Sequence, residues 1–548
     1  MLRLTVAAVL LAALSASAAP AQSPPADDRG TITIVVGEEG FPAVPPLVQT
    51  RARQDVADLL FLRLALPGPD YRTAGDKGFR PQLAESWHRR DSLTLVFDLH
   101  PRARWHDGRP VTAHDVVFSF ERARRPGFDP QRATLLRHLA SVTAESDHRV
   151  AFRFARAYSE QLYDATYHVH VVPRHLLASI PDSALATSDF VKAPVGNGPY
   201  RWGRRRPGEF IELRANPTYF RGAPKLERVI FRVAEDPEAQ ISLLLSGEVD
   251  AHEYVAPLGN VARVEAHPDL RIVPVPSFTV GYLLFNRRDP ADTTRPHPIF
   301  GDRDVRRALT LALDRARMVE AAFGPYGAVP VGPVPMSMWI RDPQADPVPY
   351  DTAQARALLA ARGWTDRDGD GVLDREGRPF AVSLNFPTTS AVRRQMALQV
   401  QEQLRRLGVR VELVPLGGPE WAGRRRSGRF DIDFSSASMD PSPSGLRQSW
   451  SCAGIGGSNV AHYCNPAVDS LIERALVAPG SGLAEWRAVV RTIVEDAPAV
   501  FMYTPSYPVA VHRRFVDLDI RPDARWLALP AWRVAPGRQL ARDRLAAE

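Results

Sequence analysis

Apolar and polar residues alternate along several short stretches of the chain, as they do in strands that bury one face. Leucine or phenylalanine occupies every second position of residues 93–99, and residues 211 and 213 are apolar on either side of Glu212. Residues 229–233 and 409–413 are further candidates, the latter with Val, Val and Leu at alternate positions. The pattern therefore predicts several strands, each with one buried face.

Other segments repeat apolar residues at helical spacing and carry start or stop signals. Thr112 can cap a helix whose apolar side is formed by Val116, Val117, Phe120 and Ala123. Pro237 and Pro466 each stand where the first turn of a helix tolerates proline. A long apolar stripe from residue 396 to residue 407 is followed by Gly408, which can end a helix. The sequence predicts helices interspersed among the strands.

Two segments resemble a known family in their wording. Residues 81–122 read PQLAESWHRRDSLTLVFDLHPRARWHDGRPVTAHDVVFSFER, and residues 196–251 join a glycine turn, two strands and a short helix. Both are similar to the bacterial extracellular solute-binding proteins of family 5, the peptide- and nickel-binding components of ABC importers. The likeness continues through residues 282–309 and 350–364 and covers nearly the whole chain after its N-terminal segment.

This resemblance implies an α/β fold of the type II periplasmic-binding-protein kind, with two lobes, a hinge and an extra domain. Residues 24–65, 190–280 and 515–548 would form the first lobe, and residues 66–189 would be its additional domain. Residues 281–514 would form the second lobe. The ligand would lie between the lobes, where a hinge motion can bury it.

The first residues predict export from the cytoplasm. Arg3 precedes an uncharged apolar run over residues 4–14, and small residues follow, which is the pattern of a cleaved secretory signal. We expect a signal peptide over residues 1–21, cut after Ala18 or Ala21, and a periplasmic protein. Cysteine is absent from this region, so no lipid-anchor cysteine is expected.

Composition and charge argue against a nucleic-acid partner. The 548 residues include 45% hydrophobic and 24% charged residues, which is ordinary for a folded protein. The net charge of +7 is dispersed, although arginine triplets stand at residues 204–206 and 424–426. Since no nucleic-acid-binding motif accompanies them, we interpret the triplets as solvated loop arginines.

One histidine-rich segment keeps an enzymatic alternative open. His168 and His170 would point to the same side of a strand, with His175 close behind, and imidazole is a good ligand for nickel, copper or zinc. A secreted metal-dependent hydrolase is therefore one alternative function. Structural histidines are the preferred interpretation, and no enzyme activity, metal or cofactor is predicted.

Asp366, Asp368 and Asp370 imitate the start of a calcium-binding loop. The twelfth position, which usually supplies a bidentate carboxylate, is Gly377. We interpret this segment as an acidic surface turn, with weak calcium binding as the alternative.

Cys452 and Cys464 are the only cysteines of the chain. An exported protein meets an oxidising compartment, so an intramolecular disulfide is expected between them. The surrounding segment also resembles the paired-cysteine segment of dipeptide-type members of the family. A metal-thiolate or catalytic pair is the alternative.

Five residues are candidate ligand contacts, mainly because of the resemblance. Trp421 matches a ligand-facing tryptophan of dipeptide-type relatives, and Trp450 is the second candidate for a stacking or apolar contact. Asp440 is expected to make a charged contact, and Glu39 and Tyr282 are expected at the edges of the cleft. Each has a structural competitor, since tryptophans are often core residues and an aspartate before proline often caps a turn.

Dipeptide-type relatives hold the two ends of their ligand with an aspartate and an arginine. The first of these positions corresponds to Ala437 here, and the second falls in the shorter stretch of residues 387–390. A small dipeptide clamped at both ends is therefore less favoured than a peptide held by its backbone.

The function predicted from the sequence is that of a periplasmic solute-binding component of an ABC importer. A monomer would capture a peptide or peptide-like solute between its lobes and deliver it to a permease of the inner membrane. A nickel-chelate or haem binder of the same family is a second alternative.

Overall fold

The computed structural model describes residues 30–543 apart from residues 46 and 49. The predicted signal peptide therefore lies outside the described residues. Strands in the first half of the chain are β1 Gly30–Val36, β2 Ala65–Pro67, β3 Phe79–Pro81, β4 Ala84–Asp91, β5 Thr94–Leu99, β6 Leu139–Ser146, β7 Arg149–Phe154, β8 Tyr200–Arg206, β9 Phe210–Ala215, β10 Leu226–Val233, β11 Ala251–His252 and β12 Leu270–Pro276. The later strands are β13 Thr279–Phe285, β14 Gly327–Ala328, β15 Asp374–Arg375, β16 Arg378–Pro379, β17 Ala381–Pro387, β18 Arg410–Leu416, β19 Ile432–Ser438, β20 Ala499–His512, β21 Phe515–Val516 and β22 Arg533–Val534.

Helices are distributed along the whole described chain. The α-helices are α1 Arg51–Leu60, α2 Ala113–Ala123, α3 Pro130–Leu135, α4 Gln161–Thr166, α5 Arg174–Leu177, α6 Asp189–Lys192, α7 Pro237–Leu245, α8 Leu258–Glu265, α9 Arg303–Leu311, α10 Arg315–Phe323, α11 Thr352–Ala361, α12 Ala391–Leu407, α13 Gly418–Ser427, α14 Gly445–Trp450, α15 Pro466–Val477 and α16 Leu483–Asp496. Short 3-10 turns lie at Asp182–Thr187, Gly324–Tyr326, Cys452–Gly454, Leu529–Ala531 and Ala541–Asp543. Within the described residues, no helix is long and apolar enough to cross a membrane.

Several of the predicted elements are confirmed by the structure. The strands expected around residues 93–99, 211–213, 229–233 and 409–413 are β5, β9, β10 and β18. Thr112 and Asp115 form a reciprocal capping box at the start of α2. Gly408 ends α12 with a φ of 94°, which a residue without a Cβ adopts without strain. Local pattern and local structure therefore agree at these positions.

A twelve-stranded mixed sheet runs through the molecule. The hydrogen-bonded path is β18-β17-β19-β13-β20-β11-β1-β10-β9-β8, and β12 and β14 also pair with β20. β1 is parallel to β10 and β17 is parallel to β18, whereas β20 is antiparallel to its neighbours. The sheet thus has one half on each side of β20.

The strand β20 belongs to both halves of this sheet. Its first residues, Ala499 to Tyr503, pair with β13. Its later residues, Ser506 to His512, pair with β12. The buried side chains follow the same division, because Val500 and Met502 belong to one hydrophobic cluster and Val509 to another. One chain segment therefore contributes to separate hydrophobic clusters at its two ends, as a two-lobed protein requires.

A smaller sheet lies within residues 84–154. Its strands have the order β4-β5-β7-β6, and α2 packs on it. Phe152 is central to this packing, with ring centroids 5.2 Å from Phe97 and 4.8 Å from Phe120. This unit falls inside the predicted additional domain, although the full domain assignment stays a prediction.

Candidate ligand-binding site

Two cavities adjoin each other in the structure. The first lies where residues 134–168 approach residues 440–476, and the second is lined mainly by residues from 280–333 and 422–460, with Leu135. The first cavity has a volume of about 470 Å³ and the second cavity about 570 Å³. They share five lining residues, which are Leu135, Asp440, Gln448, Gly457 and Ser458. Because they share these walls, one elongated ligand could occupy both.

A buried carboxylate closes the inner end of the first cavity. Glu160 precedes α4 and is 2% exposed. One of its oxygens accepts a hydrogen bond from Thr73 Oγ1, and the other accepts one from Ser442 Oγ at 2.7 Å. Trp339 Nε1 donates to the same threonine hydroxyl at 3.3 Å. One carboxylate thus connects residues 66–189 to the segment that contains Asp440.

Further contacts hold the two sides of the first cavity together. The backbone N–H of Ser159 donates to the carbonyl of Leu476 at 2.9 Å. Glu473 approaches Arg447 at 3.1 Å and Arg156, on the opposite side, at 3.7 Å. The described conformation is therefore one in which residues 66–189 contact residues 281–514 around the cavity.

Burial shapes the electrostatics of this cavity. It raises the pKa of Glu160 to about 7, and the nearby carboxylates of Asp164 and Asp440 act in the same direction. Burial also raises the pKa of Asp440, opposed mainly by His168. Carboxylates whose pKa values are raised in this way, first by burial, are common at functional sites.

Aromatic side chains form one wall of the second cavity. Trp450 and Tyr282 both line it, and their rings meet edge to face with centroids 5.8 Å apart. Trp450 also contacts Phe501 and Tyr463, and only 4% of it is exposed. Each of these two predicted contacts is therefore a core residue with one side on the cavity.

Basic side chains form another part of the second cavity. Arg425 and Arg426, on α13, both line it. Arg425 Nε lies 3.0 Å from the buried carboxylate of Asp433. Burial raises the pKa of Asp433, and the charge of Arg425 opposes this shift. Arg425 is therefore partly committed to Asp433, whereas Arg426 is exposed.

Trp421 stands behind this basic wall. Its Nε1 donates to Asp433 at 2.7 Å, and the Arg425 guanidinium lies 4.7 Å from the centre of its ring. Trp421 is not among the residues that line the two cavities, but its neighbour Ala422 is. In the described conformation Trp421 positions Asp433 and Arg425, and direct ligand contact stays a prediction.

The variant Trp421→Ala is expected to weaken ligand binding by about 2 kcal/mol, the scale of an interface hot spot. It should also lower the free energy of unfolding by about 1–3 kcal/mol, because buried Asp433 loses a hydrogen-bond donor. Calorimetric titration and denaturant unfolding measure the two effects. Trp421→Phe is the control, since it keeps an aromatic ring but removes the N–H. Unchanged unfolding in both variants would contradict the supporting role.

Glu39 lies away from both cavities. Its carboxylate makes a two-pronged ion pair with Arg205, at 2.6 and 2.8 Å, and the same guanidinium lies 3.8 Å from the ring centre of Phe41. The predicted position of Glu39 at the cleft edge stays a prediction, because its described contacts are all within the N-terminal half of the chain.

The expectation that His168 and His170 share one side of a strand is wrong, since neither lies in a strand. The residues between α4 and Pro173 form an irregular segment, where side chains do not alternate between two sides.

The three histidines have separate acidic partners. His168 approaches Asp164 at 3.2 Å, while His170 approaches Asp58 at 2.7 Å. Burial lowers the pKa of His170 to about 4, so this imidazole is a neutral structural group. His175 has a third partner, Asp107, at 2.7 Å. The segment therefore offers no shared metal site.

Asp366, Asp368 and Asp370 form an exposed turn, as interpreted from the sequence. Their carboxylate oxygens lie within 4.8 Å of one another. The turn uses these oxygens itself, because Asp366 accepts hydrogen bonds from the backbone N–H groups of Gly369 and Gly371 at 2.8 and 3.0 Å.

Cys452 and Cys464 are bonded in the structure, with Cα atoms 4.4 Å apart. The loop between them contributes Ala453, Gly454 and Ser458 to the lining of the first cavity. The cross-link therefore restrains part of the cavity wall.

Sequence patterns did not identify the residues that residues 66–189 contribute to the first cavity, chiefly Glu160, Tyr163 and Asp164. The one local signal is the spacing of Glu160 and Asp164, four positions apart, which is typical of many solvated helix faces. Their burial depends on contact with a segment far along the chain.

Comparison with known proteins gives the relationship of the chain. The sequence model described as "Bacterial extracellular solute-binding proteins, family 5 Middle" matches residues 78–457. The oligopeptide-binding protein AppA of Bacillus subtilis is 26% identical over 520 residues, which cover 92% of this chain and 91% of that protein.

Solved structures share the same architecture. AppA of Bacillus subtilis, solved in complex with a nonapeptide, superposes with a TM-score of 0.74 at 25% identity and covers 93% of this chain and 99% of that one. NikA of Brucella suis, solved with Fe(III)-EDTA, gives a TM-score of 0.79 at 18% identity, with 92% and 100% coverage. The predicted α/β, two-lobed fold is confirmed by this agreement.

Proposed function

We propose, because the chain belongs to the bacterial extracellular solute-binding proteins of family 5, that it captures a peptide or peptide-like solute for an ABC importer. The observation that carries the proposal is the first cavity, at the contact between residues 66–189 and 281–514, together with the second cavity that adjoins it. Their aromatic and polar walls suit a solute with both apolar and charged groups. AppA of Bacillus subtilis, solved with a nonapeptide, supports a peptide as that solute.

Binding without chemistry follows from this role. The lobes would close over the solute, which would then pass to the permease of the inner membrane, and the protein itself would catalyse no reaction. Asp440, Trp450 and Tyr282 are proposed to contact the solute directly, since all three line the second cavity. Trp421 and Glu39 do not line the two cavities. They are proposed to contact a longer ligand, or to contact the ligand in another conformation of the protein.

The proposal also includes the setting of the protein. Residues 1–21 would be removed as a signal peptide, and the protein would work in the periplasm as a monomer with no nucleic-acid partner. Residues 24–65, 190–280 and 515–548 would form one lobe, with 66–189 as its additional domain and 281–514 as the other lobe.

Thermal melting with a peptide library tests the function. A peptide that binds the folded protein alone should raise its stability by about 2.7 kcal/mol at 100 times its dissociation constant. Peptides of three to nine residues, a nickel–histidine complex and haem should be compared at equal concentration. A shift of the midpoint by the nickel complex or haem, with none by any peptide, would show that the peptide assignment is wrong.

We expect the disulfide between Cys452 and Cys464 to be formed in the exported protein. Thiol labelling of the denatured, unreduced protein should then modify neither cysteine. Replacing both cysteines with serine should lower the free energy of unfolding by about 3 kcal/mol, the chain-entropy value for a loop of this size. Full labelling of periplasmic material without reductant would refute this prediction.

A further inference from the structure

The first cavity brings three carboxylates together, of which Glu160 is shielded from solvent and Asp164 and Asp440 are half-buried. Glu160, Asp164 and Asp440 all line it. Glu160 accepts hydrogen bonds from the neutral hydroxyls of Thr73 and Ser442. Asp440 accepts one from the backbone N–H of Ser442. Asp164 accepts from the Tyr158 hydroxyl at 2.6 Å and approaches His168. No arginine or lysine among the described residues forms an ion pair with these three carboxylates.

The buried hydroxyl of Tyr163 lies at the same place, with Asp440 as its polar neighbour. Tyr163 lines the first cavity and is 1% exposed. Its hydroxyl lies near Asp440, but it makes no hydrogen bond of sound geometry within the described structure. Buried phenol hydroxyls are normally hydrogen-bonded with good geometry, so a polar group of a ligand at this place would complete the bonding of Tyr163.

The basic residues of the first cavity lie toward its solvent side. Arg447 and Arg156 are both partly exposed and share Glu473 as their acidic partner. Arg137 is exposed and donates to a backbone carbonyl, that of Thr134. These arginines therefore bind other groups near the opening of the cavity and are not paired with Glu160, Asp164 or Asp440.

Apolar surface leads from the mouth to the carboxylates. Leu135, Leu476 and the ring of Tyr158 line the same cavity. An aliphatic chain can lie along such surface while a charged group at its tip reaches the carboxylates, as lysine and arginine side chains do in proteins.

The spacing of the carboxylates does not suit a metal ion. Among the described residues, Asp366, Asp368 and Asp370 are the acidic, histidine or cysteine groups whose ligand atoms converge within 4.8 Å. Glu160, Asp164 and Asp440 do not converge in this way. A guanidinium or ammonium group, with several donors that point in different directions, fits separated acceptors better.

We propose that the inner end of the first cavity binds an organic cation on an aliphatic stem, and specifically the lysine or arginine side chain of a peptide. This inference rests on the proposed function and deepens it by naming the class of solute. Glu160, Asp440 and the Tyr163 hydroxyl would contact the cationic tip, and Leu135 and Leu476 would contact the stem.

The pH dependence of binding follows from the ionisation of Glu160. The groups that face it are Asp164, Asp440 and the hydroxyls of Thr73 and Ser442. His168 also lines the cavity and acts on both Asp164 and Asp440. Because burial raises the pKa of Glu160 to about 7, this carboxyl becomes protonated in the closed protein as the pH falls below that value. A cation needs the ionised form, so its affinity should fall from pH 8 to pH 5.5. A neutral ligand gains nothing from that ionisation, and its affinity should stay level or rise.

The test compares matched peptides on the full mature protein. The probes are Arg-Ala-Ala, Ala-Arg-Ala and Ala-Ala-Arg, each beside a counterpart in which citrulline replaces arginine, and each pair also in an N-acetylated form. Calorimetric titration at pH 8 should give at least one arginine peptide that binds about tenfold or more tightly than its citrulline partner, the scale of one charged hydrogen bond. Acetylation of the N-terminus should leave that ratio in place.

Three variants locate the effect. Glu160→Gln and Asp440→Asn should each reduce the arginine-to-citrulline ratio toward one, and Glu160→Gln should also remove most of the pH dependence. Asp366→Asn is the matched control, because it removes one carboxylate from an exposed turn and should leave the ratio unchanged. A cooperative thermal melt of each variant shows that it is folded. If one variant does not fold, the other still decides the result.

The outcomes separate this inference from the function on which it rests. If none of the peptides binds, and the nine-residue peptides of the library fail as well, the proposed function is wrong. If arginine and citrulline peptides bind equally, peptide capture stands and the cation site is refuted. A loss of affinity on acetylation alone would refute the side-chain assignment, because the cation would then be the peptide's N-terminal ammonium group.

Discussion

Replacing Arg514 with leucine is expected to lower the free energy of unfolding by about 3–5 kcal/mol, the cost of breaking a buried ion pair from one side. Arg514 is fully buried and pairs with Asp250 at 3.0 Å and with Asp543 at 2.5 Å. It also donates to the carbonyl of Thr31 in β1 at 2.6 Å. The variant would therefore leave two carboxylates short of a partner and loosen the C-terminal segment from the sheet. Denaturant unfolding measures the loss.

Arg533→Leu is the matched control for this prediction. Arg533 pairs with Asp517 at 2.6 Å, but both side chains are partly exposed, so the change should cost no more than about 1 kcal/mol. If both variants lose the same free energy of unfolding, the charge network around Arg514 stabilises the protein no more than a surface ion pair does.

Replacing Trp450 with alanine is expected to lower the free energy of unfolding by about 3–5 kcal/mol, the usual cost of truncating a buried tryptophan. Its ring packs against Tyr282, Tyr463 and Phe501, so the variant leaves a void beside the second cavity. Peptide affinity should fall as well, because the same ring forms part of the cavity wall. Denaturant unfolding and calorimetric titration give the two quantities.

Trp450→Phe separates packing from binding. It keeps most of the apolar volume, so it should recover most of the lost stability, while its smaller ring leaves the cavity wall incomplete. Full stability together with wild-type affinity in Trp450→Ala would contradict both parts of this account.

Local elements were predictable because their signals lie within a few residues of one another. The capping box of Thr112 and Asp115, and Gly408 at the end of α12, are determined by nearby backbone geometry. The wording of the sequence also predicted the family and its two-lobed fold. The spacing of His168 and His170 does not correspond to a strand, because two or three residues are too few to distinguish a strand from an irregular segment.

The site was less predictable because it depends on distant contacts. Glu160 and Ser442 are 282 positions apart in the chain and meet only when the tertiary fold brings α4 to the segment after β19. The sequence predicts Trp450 as a ligand contact. That one side of its ring packs in the core and the other lines the cavity depends on the three-dimensional packing. Asp433, the partner of Trp421, stands between Ile432 and Phe434 in β19, and the sequence gives no other signal of its role.

Native mass spectrometry of the protein purified from the periplasm of its own cells would show whether it carries a peptide. We expect a retained non-covalent ligand that, when released and fragmented, gives the ion series of a peptide. A released haem or nickel complex, or a ligand whose fragments contain no amino acids, would contradict the claim that this protein captures peptides.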